Sequence, residues 1–108
     1  MPTVYITAPP TAANDLAQEL VERQLAACVN RIDCQSTYRW EGDIVEDTEV
    51  ILLAKTTAAA YPALVEYLHE HHPYEVPCIE RFDEADIDAA FGTWVSGVTL
   101  PDRDPDAT

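Results

Sequence analysis

The segment His71-His72-Pro73-Tyr74-Glu75-Val76-Pro77-Cys78 brings two imidazoles and a thiol together within eight residues. Imidazole nitrogen and cysteine sulfur are donors that suit copper and zinc, so the first chemistry this pattern offers is metal binding. On a regular helix the adjacent His71 and His72 diverge by about 100° and cannot easily hold one ion, whereas His69 and His72 share a face. Pro73 biases His72 out of the helix, so its imidazole can swing toward Cys78. The candidate ligands are therefore His72 and Cys78, with His71 as an auxiliary, and the affinity ordering favours copper, as Cu(I) or Cu(II), with zinc as the other suitable ion. A structural reading competes: Pro73 and Pro77 punctuate a helix-to-strand turn, and the histidines sit near the negative pole of a helix dipole.

Two further groups have chemical potential. Tyr38 and Trp40 carry aromatic bulk on one face of a strand and read as subunit packing, since Tyr and Trp are enriched in interface cores. Arg39, Lys55 and Tyr74 offer an alternative, a polar cleft between subunits that takes a small anion, while the plainer role for Lys55 is an internal ion pair. Cys28 and Cys34 share a strand face but lie roughly 20 Å apart at strand rise, too far for a common ion within one subunit, and read as core residues. An enzyme is not expected. Cys78 and His72 lack a third orienting residue and an oxyanion loop, and three glycines are too few for a phosphate cradle. The run Asp83-Glu84-Ala85-Asp86-Ile87-Asp88 lacks the glycine and terminal glutamate of an EF-hand and reads as the acidic first turn of a last helix.

The elements that must position these residues follow from periodicity. Thr3 to Thr7 reads as a short strand ended by Pro9-Pro10. Thr11 is placed to cap a helix whose apolar side is Ala13, Leu16, Ala17, Leu20 and Val21. Cys28 to Trp40 alternates and reads as a half-buried strand, but thirteen residues span roughly 43 Å, so part of it must project past its sheet or bend. Glu41-Gly42-Asp43 supplies a turn, and Ile44 to Thr56 returns as the hairpin partner. In that partner Val50 to Ala54 is apolar on both faces, as a central strand would be. A second helix runs from about Ala60 to His71, with Pro62 tolerable in its first turn. A strand around Cys78 to Phe82 follows, then a helix with Ile87, Phe91, Trp94, Val95 and Val98 on one face. Pro101 to Thr108 reads as a frayed acidic tail beyond a single domain at 1–100. The order is the α+β, ferredoxin-like βαββαβ sandwich with an added C-terminal helix. Its two main helices cover one sheet face only. The doubly apolar strand then needs a second cover, which predicts a homo-oligomer that extends and shields its sheets.

Composition narrows the partners. With 108 residues and 47% hydrophobic content the chain can bury a core without disulfides or a structural metal. Twenty acidic residues face six basic ones, a net charge of −14 that repels nucleic acid and anionic membranes. The acids are spread along the chain, which suggests a solvated surface adapted to a hypersaline cytoplasm, where salt screens self-repulsion. There is no leader pattern or apolar run of about 18 residues, so a soluble, unprocessed protein is expected. Three cysteines without a CxxC pair fit a reducing cytoplasm.

Five pieces in register resemble the CutA divalent-cation tolerance family: Thr7-Ala8-Pro9, Leu25 to Asn30, Ser36 to Gly42, Lys55-Thr56, and His72 to Pro77. The resemblance implies a homotrimer of ferredoxin-like subunits, a non-enzymatic role in tolerance to divalent metals, and copper binding. The family's fold and trimeric habit also resemble the PII signalling proteins, which implies as an alternative that small effectors, or a protein partner, are bound at inter-subunit clefts. Two departures fall in the candidate site, one of them Ile6, where some members carry a cysteine just before the Thr-Ala-Pro. Members usually place a glutamate after the Val-Pro, where this chain has Cys78, and a thiolate there shifts preference toward softer ions such as Cu(I) or Zn(II).

Overall fold

Two prolines decide where the first helix begins. Strand β1 (Pro2–Ala8) ends at Pro9, whose extended backbone (φ −67°, ψ 149°) turns the chain, and Pro10 is the first residue of helix α1 (Pro10–Glu22). Proline suits that position because its missing N–H is one of the donors a helix start leaves unpaired anyway. The computed structural model of the chain describes residues 1–100. In it α1 opens two residues earlier than a Thr11 cap requires. No side chain caps it; the Pro9 carbonyl instead accepts from the amides of Ala12 (3.0 Å) and Ala13 (3.1 Å).

The other end of α1 closes on a left-handed residue. Gln24 (φ 58°) lets the Leu25 amide reach the Leu20 carbonyl at 2.9 Å while its own amide reaches Val21 at 3.0 Å. This paired closure is the Schellman motif, and its apolar member, Leu25, is buried beside Leu20.

The alternation in the middle of the chain becomes a long hairpin, β2 (Cys28–Trp40) and β3 (Asp43–Lys55). Glu41 (φ 50°) and Gly42 (φ 86°) form its two-residue turn, the mirror-image geometry that matches strand twist. Helix α2 (Tyr61–His71) carries Pro62 in its first turn, and β4 (Ile79–Asp83) begins one residue after Cys78. The sheet order is β2-β3-β1-β4, antiparallel throughout. On one face Val4, Ile6, Leu52 and Ala54 pack under Leu20 of α1 and Leu64 and Leu68 of α2, all with no exposed surface. No helix among the described residues is long and apolar enough to cross a membrane.

Two expectations are corrected. The acidic run from Asp83 to Asp88 precedes helix α3 (Ala89–Val98) instead of forming its first turn; only Asp88 serves it, its carboxylate accepting from the Phe91 amide at 3.2 Å. The apolar side of α3 is also largely uncovered, since Val95 is buried but Phe91 and Trp94 are exposed. The tail expected to fray, Pro101 to Thr108, lies outside the described residues.

The even positions of β2, read as half-buried, are mostly exposed in a single chain, Ile32 and Trp40 among them. The register explains why. Strand β1 pairs with β3 only from Val50 to Lys55, so Cys34–Trp40 and Asp43–Glu49 pair with each other alone and project as an arm. The arm draws the molecule out to 49 × 29 × 22 Å.

Candidate functional site

The site grows from a break in the chain. At Pro73 helix α2 can no longer continue, and His72 leaves it with extended backbone (φ −72°, ψ 136°) while its amide still bonds to the Leu68 carbonyl at 2.8 Å. His71 and His72 consequently part. The exposed His71 places Nδ1 3.0 Å from the Tyr67 carbonyl and stacks on the Tyr67 ring at 4.2 Å. His72 turns inward and is buried. Its Nδ1 accepts from the Tyr74 amide at 3.0 Å, so the proton resides on Nε2, which donates to the Thr7 carbonyl at 2.8 Å.

Both nitrogens of His72 are thus engaged in tying the loop to the end of β1. The tie sends Tyr74 around to the sheet face that the helices leave open, where its hydroxyl donates to Glu49 at 2.8 Å. Burial, and then the bond to Glu49, push the Tyr74 hydroxyl well above the usual tyrosine range. Glu49 is only 5% exposed although it lies on the open face. Tyr74 is part of its cover.

A cavity of about 600 Å³ runs along this face. Its floor includes Tyr5, Thr7 and Glu49 from the sheet; Ser36, Tyr38 and Trp40 line it from the arm. The loop from Pro73 to Val76 and the residues Cys78 and Glu80 close the remaining side. Register places Glu49 opposite Cys34, and Glu80 opposite Tyr5, on the same face of the sheet. The Cys78 thiol points to Glu80 Oε1 at 3.6 Å, and burial followed by that carboxylate raises its pKa. The Tyr38 hydroxyl donates to Asp47 across the arm.

The residues expected to act together are only partly brought together. Cys78 lines the cavity, whereas His72 stands behind its wall as a tether and His71 points away. Among the described residues no group of three His, Cys, Asp or Glu side chains is arranged to hold a metal ion; Cys78 has only the Glu80 carboxylate beside it. The proposed anion cleft does not assemble within a subunit. Tyr74 lines the cavity, but Lys55 pairs with Cys28 at one end of β3 and Arg39 pairs with Ile44 near the other, roughly 36 Å away at strand rise. Instead of a direct ion pair, Lys55 donates to Thr3 at 3.1 Å, and Thr3 donates to Glu84. Glu49 and Glu80, which with Glu75 are the carboxylates lining the cavity, escaped the sequence reading. Their one signal was an acid in an alternating strand register, masked by acids everywhere else.

Comparison with known proteins fits this geometry. The family described as CutA1 divalent ion tolerance protein matches residues 2–98. The chain belongs to the CutA1 family. A divalent-cation tolerance protein CutA from Thermus thermophilus is 44% identical over 94 residues, covering 85% of this chain and 91% of the relative. The solved CutA1 from that organism superposes with a TM-score of 0.87 at 42% identity, covering 93% of this chain and 100% of the other. A Nostoc protein described as PII-like CutA superposes at 0.90 with 28% identity, covering 93% and 98%. The chain spans about half the length of the Xenopus laevis CutA homolog, to which it is 53% identical over 74 residues, 67% of this chain.

Proposed function

We propose that this CutA1 chain is a homotrimeric divalent-cation tolerance protein that binds ions without transforming them, in a salt-rich cytoplasm. The observation that carries the reading is Cys78 beside Glu80 at a cavity wall, in a chain whose relatives are described as divalent-cation tolerance proteins. The thiol favours copper or zinc over harder ions, and a second subunit or water completes the shell. His72 contributes by fixing the loop. Trimer formation is supported by exposed apolar side chains on the open face, Ile32 and Phe82, by those on α3, and by the unpaired arm. The charge of −14 predicts that stability falls when salt is diluted, as thermal melts from molar to millimolar KCl will register.

Calorimetric titration of the reduced protein with Cu(I), Cu(II) and Zn(II) in high salt tests the ion site. Saturable binding near one ion per subunit, lost in Cys78→Ser and weakened in Glu80→Gln, is the expected result. Binding must also strengthen with pH, because the raised thiol has to lose its proton to ligate. Binding indifferent to Cys78 and Glu80 contradicts the site; loss in a folded His72→Gln variant restores that imidazole as a ligand.

The cavity favours a second reading. Its size is that of a small-molecule site, and a structural relative is described as PII-like. In this reading the trimer binds an effector where the open faces of subunits meet.

A further inference from the structure

We draw no further inference here: the strongest candidate, the exposed apolar side of helix α3 formed by Phe91, Trp94 and Val98, is a surface patch for which nothing in the structure shows what covers it.

Discussion

Along β3 a single alternation separates two surfaces. Val50, Leu52 and Ala54 face the helices and are buried, whereas Glu49, Ile51, Leu53 and Lys55 face the other way. The covered face is aliphatic and makes a closed core with α1 and α2. The open face carries the carboxylates, thiols and aromatic rings that could bind anything. The fold closes a core over one face and leaves the other uncovered in a single chain.

The largest expected effect sets the two faces against each other. Leu52→Ala should destabilise by about 3 kcal/mol, through lost burial and the cavity it leaves. Its neighbour Ile51→Ala should cost much less in an isolated subunit. If trimer formation covers the open face, however, Ile51→Ala approaches the Leu52→Ala value. Urea unfolding at one fixed protein concentration decides, and equal small losses at both positions break the distinction between the faces.

Next in size is the bond that crosses from the loop to the open face. Tyr74→Phe leaves a buried Glu49 without its donor and should cost about 2 kcal/mol near neutral pH. The pH dependence has a defined direction. The Tyr74 hydroxyl is raised in the folded chain, so its protonated form is favoured there; its contribution is whole below the ordinary tyrosine value near pH 10 and is lost as pH rises through the raised value. Alkaline denaturation curves should therefore fall less steeply above about pH 10 in Tyr74→Phe than in wild type. Identical slopes would detach Tyr74 from Glu49.

The smallest effect lies away from both faces. Gln24 sits in the left-handed region, which glycine adopts without a Cβ clash, so Gln24→Gly should stabilise by about 0.5–1 kcal/mol and leave ion titrations unchanged. A loss of stability in thermal melts would mean that the Gln24 side chain contributes more than its backbone strain removes.

Much of this architecture was legible in the sequence because its signals are local. The alternation of β2, the turn expected at Glu41-Gly42-Asp43 and the stop at Pro73 each depend on neighbours in the chain, and the element order followed from them, with β3 shifted one residue earlier at both ends because Asp43 pairs with Trp40. Thr11 misled because a hydroxyl looks like a cap, whereas two prolines had already fixed the helix start. The outward turn of Phe91 and Trp94 was hidden, since an apolar stripe looks the same whether its cover is the same chain or another. The site itself was half legible. Cys78 and Tyr74 were singled out, but Glu49 meets Tyr74 across 25 residues of sequence, and no spacing rule reports a contact made by a loop that folds over a sheet end. His72 was singled out for its chemistry, but its bond to the Thr7 carbonyl 65 residues away left no trace in the sequence.

The central claim is that the open face is the working surface and that copies of the chain close over it. Light scattering on the size-separated protein in high KCl, for wild type and for Ile32→Asp, tests it most directly. The account predicts a wild-type particle of three times the chain mass and a variant that falls to single folded chains. A wild-type monomer, or a trimer indifferent to a charge at Ile32, would contradict it.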